Sequence, residues 1–123
     1  MENNAIVLLA HGSPDSRWKK SLNKTVLKFK KIFGENKINA CFLNFNKPSF
    51  KDIVKKLNAK NIKRIKILPL FLGSGGHIEK DIPKLVLSVK KEYAKLKIEM
   101  LPSIGQSPAF HKMLKDIIKQ ESI

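Results

Sequence analysis

The chain has 123 residues, enough for one compact domain with a real core and too few for two. Its apolar runs, the longest at residues 5–10 and 67–72, fall far short of the roughly 20 residues a membrane span needs. The N-terminal Met-Glu-Asn-Asn lacks the basic stretch that opens a secretory leader, and the formal net charge is +15.

In chain order, residues 5–10 form an apolar run suited to a buried parallel strand. From about Ser16 to Phe33, Trp18, Leu22, Val26, Phe29 and Phe33 recur at helical spacing, and Gly34 follows as a C-cap. Residues 38–45 are a second strand. Pro48 then opens a helix whose apolar face is Phe50, Ile53, Val54 and Leu57. A third strand covers residues 64–72. The next helix buries Ile78, Ile82, Leu85, Val89 and Tyr93. Pro83 lies in its first turns, where a missing N–H costs least, or marks a delayed helix start. Residues 98–101 are a short fourth strand. Ser107 and Pro108 read as an N-cap and first helical residue for a last helix carrying Phe110, Met113, Leu114, Ile117 and Ile118.

Strands that alternate with helices in this way predict a single α/β domain over 1–123. A parallel sheet of four strands lies between helices on both faces, in three α/β/α layers. Cys41 stands alone within the second strand, where a buried, reduced thiol is expected and a cytoplasmic setting follows.

The charge comes from 23 lysines and only two arginines, Arg17 and Arg64. Nucleic-acid binders favour arginine for bidentate phosphate contacts, interleaved with exposed aromatics. Here Phe29, Phe33, Phe42 and Phe71 fall at positions expected to face the core. A solvated lysine surface is the plain interpretation, attraction of a polyanionic small molecule the second, and nucleic acid the weakest.

Open α/β sheets bind ligands beyond the carboxyl ends of their strands, where the strand order reverses. If the order is 2-1-3-4, that point lies between strands one and three. Those strands end in "AHGS" and "LGSGGH", so His11 and His77 flank one crevice. Neighbouring strands are about 4.8 Å apart, so both imidazoles are expected to reach one ligand. Neutral imidazole suits borderline metals near pH 7, although a lone histidine after a strand is more often a turn or capping residue. His111, early in the last helix, fits that plainer role. The glycines at 73, 75 and 76 within "GSGG" let backbone approach an anion or a flat ligand, or make a tight turn. They form neither a G-x-G-x-x-G fingerprint nor a P-loop.

Together, "LLAHGSPDSRW", Pro48-Ser49 and "LPLFLGSGGHIEKDIP" closely resemble the short form of the class II tetrapyrrole chelatases, the small CbiX-type sirohydrochlorin chelatases. The match covers nearly the whole chain, and the long third block makes it specific. The resemblance implies half of a bilobal chelatase fold, completed by pairing as a homodimer that encloses one site. It implies insertion of a divalent metal (Co²⁺ foremost, Fe²⁺ or Ni²⁺ also possible) into sirohydrochlorin for cobalamin- or sirohaem-type cofactors. The metal is then a substrate, with no cofactor permanently bound. By motif position, His11 and His77 are the catalytic and metal-handling pair. Gly12, Ser13, Asn44, Gly73, Ser74, Gly75 and Gly76 border the macrocycle. Sirohydrochlorin carries eight carboxylates, which gives the lysines a use.

The family usually carries acids after strand two, where this chain has Asn44 and Lys47. An amide carbonyl is a poor base and an ammonium repels a cation. That difference favours a weaker, altered or lost activity, and it keeps open a non-catalytic tetrapyrrole- or metal-binding module of the same fold.

Overall fold

A computed structural model of the chain describes residues 3–73 and 76–121, with residues 76–79 described for their backbone only. The order is β1 (Asn4–Ala10), α1 (Ser16–Phe33), β2 (Ile38–Phe42), α2 (Phe50–Ala59), β3 (Arg64–Pro69), α3 (Gly76–Glu92) and β4 (Lys97–Met100). A 3₁₀ turn (Ile104–Gln106) and α4 (Pro108–Gln120) follow. The strands form one four-stranded sheet in the order β2-β1-β3-β4, and every pairing is parallel.

This order dictates the layers. The crossover from β1 to β2 runs one way along the sheet, and those from β2 to β3 and from β3 to β4 run the other way. Crossovers of one hand that travel in opposite directions place their helices on opposite faces. The packing agrees. On one face Ala5, Val7 and Leu9 of β1 and Ile65 and Ile67 of β3 join Phe50, Val54 and Leu57 of α2 and Ile82, Val86 and Val89 of α3 in a continuous core. On the other, Val26 of α1 packs on Ile38 and Ala40 of β2, with Leu8 and Leu22 alongside.

Local signals set most boundaries. Asp15 caps α1 by accepting the Arg17 N–H at 3.0 Å, and Gly34 closes it by donating its N–H to Lys30 at 2.9 Å. Helix α2 starts at Phe50, two residues later than Pro48. The Ser49 hydroxyl accepts the Asp52 N–H at 3.1 Å while the Asp52 carboxylate accepts the Ser49 N–H at 3.0 Å. That reciprocal cap also holds the Asp52 carboxyl below its ordinary range, chiefly through the Ser49 N–H. Ser107 and Pro108 open α4 in the expected roles.

Several expectations are corrected. Strand β2 stops at Phe42, not residue 45, because Phe45 takes a left-handed φ of 68° and turns the chain. Strand β3 ends at Pro69, since residues 70–72 leave the ladder for the loop to α3. Strand β4 begins one residue early and ends at Met100. Pro83 lies inside α3 rather than at its start, with its side chain exposed. Val86, absent from the expected core face, is buried beside Ile82 and Val89, with Leu85 and Tyr93 half-buried. The side chain of Ile78 lies outside the described residues.

The largest correction concerns the aromatics. Phe42 and Phe71 are buried, but Phe29 and Phe33 are exposed, Phe33 by 60 % and Trp18 by 70 %. Helix α1 rests on the sheet through Val26 and Leu22, so the flank carrying Trp18, Phe29 and Phe33 is turned off that contact. Helix α4 buries none of its residues. Met113, Leu114, Ile117 and Ile118 are each 41–49 % exposed.

Candidate functional site

The carboxyl ends of β1 and β3 are adjacent: Leu9 pairs with Pro69, and the Leu70 N–H donates to the Leu9 carbonyl at 2.8 Å. The helices that follow leave in opposite directions, α1 toward β2 and α3 toward β4, so a crevice opens between them. A cavity of about 620 Å³ occupies this end of the sheet on the α1 side. Leu22, Phe42, Leu70 and Phe71 supply its apolar lining. Trp18, Ser21 and Thr25 line it from α1, and His11, Gly12 and Ser13 line it from the loop after β1.

His11 is exposed, and its ring meets the edge of Phe71 with centroids 5.1 Å apart and planes at 67°. Phe71 is buried, so one side of the imidazole rests on a fixed aromatic wall while the ring remains accessible.

The loop carrying His11 is tied to the loop after β2. The Ala10 carbonyl accepts the Leu43 N–H and the His11 carbonyl accepts the Asn44 N–H, each at 3.0 Å. Gly12 follows these ties with φ +91°, and a Cβ there would collide with the Asn44 carbonyl oxygen. Only glycine fits. The Ser13 N–H then donates to Asn46 Oδ1 at 2.7 Å. Ser13 Oγ accepts the Asp15 N–H at 3.0 Å, which leads into the cap of α1. The Asp15 carboxylate also pairs with the Arg17 guanidinium at 2.6 Å, and those bonds hold it below the usual carboxylate range.

The sequence-predicted residues are thus partly assembled. His11, Gly12 and Ser13 share one cavity, and Asn44 is exposed in the loop that braces them. Its role in that brace is played by backbone. Gly73 is exposed, and a Cβ on it would meet nothing within 4 Å, so chain packing does not demand glycine there. Gly76 opens α3, with His77 in its first turn. Ser74, Gly75 and the His77 side chain lie outside the described residues. His111 lies inside α4, away from the cavity lining, with its ring edge-on to Phe110 at 5.9 Å. Among the described residues, no group of three or more His, Cys, Asp or Glu could hold a metal ion, and no helix is long and apolar enough to cross a membrane.

Two participants were missed from sequence. Trp18 shows in sequence only its place in a helical spacing, and it borders the cavity. Asn46 carried no signal, because its partner lies 33 residues away.

Comparison with known proteins places these features in context. The CbiX family profile matches residues 5–121. A sirohydrochlorin cobaltochelatase of Sulfurisphaera tokodaii is 27% identical over 94% of this chain and 91% of its own. A sirohydrochlorin cobaltochelatase of Saccharolobus islandicus is 33% identical over 66% of this chain and 62% of its own. Among solved structures, a putative cobalamin biosynthesis CbiX protein from Marinobacter aquaeolei superposes with TM-score 0.83 at 27% identity, over 96% of both chains. The sirohydrochlorin chelatase SirB of Bacillus subtilis subspecies spizizenii, in complex with cobalt, superposes with TM-score 0.74 at 20% identity. There the match covers 96% of this chain but 50% of SirB, so this chain spans one half of that protein.

Proposed function

The chain belongs to the CbiX family, and from that premise we propose that it is a sirohydrochlorin chelatase that inserts a divalent metal into the macrocycle. The observation that carries this reading is His11, accessible and braced on Phe71, on the wall of the cavity at the switch point. Co²⁺ is the first candidate metal, from the names of the relatives. Fe²⁺ and Ni²⁺ follow.

Insertion exchanges two pyrrole N–H protons for one metal ion. The imidazoles of His11 and His77 hold the incoming ion loosely, and each accepts a proton once the ion has passed to the ring nitrogens. Gly12, Ser13 and Asn44, with Gly73, Ser74, Gly75 and Gly76, border the macrocycle, whose carboxylates favour a lysine-rich protein. The metal is consumed as substrate and no resident cofactor is invoked. The whole of 1–123 acts as one domain, in the cytoplasm.

The active unit is a homodimer. Two features support it: Trp18 beside the cavity is 70 % exposed, and Met113, Leu114, Ile117 and Ile118 of α4 are exposed. A second copy covering these surfaces would close the site around a ring too large for one half.

The test is sirohydrochlorin absorption with Co²⁺, comparing the wild-type chain with His11→Ala and His77→Ala. Insertion well above the spontaneous rate, lost in both variants, is expected. Background rates from all three proteins with pigment still bound would support the alternative, a binding module without catalysis. The exposed Asn44 and Lys47 beside the His11 loop, in place of acids, favour that second reading.

A further inference from the structure

His11 belongs to an exposed loop, and an exposed imidazole on a loose loop would sample many positions. The loop is not loose. Its backbone is tied before His11 through Ala10 and at His11 itself by the Asn44 N–H. Beyond His11 the chain passes through the left-handed Gly12, pressed against the Asn44 carbonyl. Among the described residues, the side chain that ties the two loops is the amide of Asn46, whose Oδ1 accepts the Ser13 N–H at 2.7 Å. Asn46 is itself presented by a tight turn: Phe45 takes φ 68°, and the Asn46 N–H returns to the Asn44 carbonyl at 2.7 Å. Asn46 is half-buried while Asn44, Phe45 and Lys47 around it are exposed.

From this geometry we infer that Asn46 is the positioning residue for His11. Its amide oxygen holds Ser13 and, through Gly12, fixes the backbone from which the imidazole is aimed along the Phe71 edge into the cavity. This rests on His11 being the metal-handling group. Without the acceptor, the Ser13 N–H turns to water and residues 11–13 gain freedom at the point where the ring must be held still. Misplacement by about 1 Å costs on the order of 100-fold in a positioned reaction. The chain thus uses a neutral side chain after β2 to orient its base, in the segment where an acid would have acted on the metal directly.

The test uses the full chain with Asn46→Leu, which keeps size but removes the acceptor, and Asn46→Asp, which keeps an acceptor in the same place. In Co²⁺ insertion, Asn46→Leu should lower kcat by roughly 30-fold with KM altered by less than about 3-fold, and Asn46→Asp should recover most of the loss. A second readout is independent of catalysis. In NMR spectra of histidine-labelled protein, the His11 ring protons should carry a ring-current shift from Phe71, which Asn46→Leu should collapse toward the free-histidine position and Asn46→Asp should restore. If the wild-type chain inserts no metal, the chelatase reading fails while the His11 shift still decides the role of Asn46. The inference is overturned if Asn46→Leu keeps both kcat and the shifted His11 resonance, or if Asn46→Asp loses them as fully as Asn46→Leu. Should Asn46→Leu melt below the assay temperature, Asn46→Ala takes its place with the same two outcomes.

Discussion

The two faces of the sheet are built from the same strands and finished differently. Under α2 and α3, side chains of the sheet and of both helices join in one core, and Phe50, Val54, Leu57, Ile65, Ile67 and Ile82 are almost wholly shielded from water. Under α1, the shielded cluster is three residues with two partly buried neighbours. Cavities of about 490 Å³ and 620 Å³ open at its two ends, the first bordered by Ile6, Phe33, Ile38, Arg64 and Lys66. The closed face supplies stability, since buried apolar area is the main favourable term in folding. The other face carries the cavity, and it leaves Trp18, Phe29 and Phe33 of α1 exposed. The packed core and the candidate site thus lie on opposite sides of one sheet.

That division can be broken most severely on the closed side. Phe50→Ala should remove about 3–5 kcal/mol of stability, read from urea or thermal unfolding; a loss below about 1 kcal/mol would mean the closed face is less tightly packed than its burial implies. On the open side, His11→Ala should cost insertion activity at least about 100-fold, some 2.7 kcal/mol at the transition state. Its melting temperature should stay within a degree or two of wild type, and a large drop would tie the site to the core after all.

Leu114→Glu with Ile117→Glu should weaken self-association by roughly 10-fold or more in sedimentation, with helix content unaltered because neither residue is buried in its own chain. Unchanged association would assign the α4 face to another purpose. The smallest effect belongs to the α2 cap. Ser49→Ala should lower the melting temperature by about 3–5 °C. The folded Asp52 carboxyl titrates below its ordinary 3.8, so its contribution is whole above that pH and is lost as pH falls through the folded value. Asp52→Asn should therefore cost stability above that pH and progressively less as pH falls, while the Ser49→Ala difference, which leaves the Ser49 N–H in place, should change little; an Asp52→Asn cost that does not vary with pH would show that the carboxylate's charge plays no part.

Cys41 illustrates how the closed face acts on chemistry. Burial pushes its thiol up to about 12, so it stays protonated and inert at neutral pH. A reduced, buried thiol was the expectation from its place in β2, and it holds for the same reason the fold class holds: position within an apolar strand.

Legibility followed range. The C-cap of α1 at Gly34, the N-cap of α4 at Ser107 and the alternation of strand and helix were visible because their causes lie within a few residues. The 2-1-3-4 order was legible as a hypothesis, and with it the meeting of the β1 and β3 loops. The exposure of Phe29, Phe33 and Trp18 was not, because helical spacing reports that a face is apolar and not whether a neighbour covers it.

By itself the sequence determined the elements, their layering and the family, through local propensities and motifs that need no partner in space. Tertiary structure decided which apolar faces were buried, because β2 and β1 accept only a narrow stripe of α1 and the fold buries no residue of α4. It alone brought Asn46 to Ser13 across 33 residues. A hydrogen bond between two loops depends on where two strands end beside one another, and no local pattern encodes that.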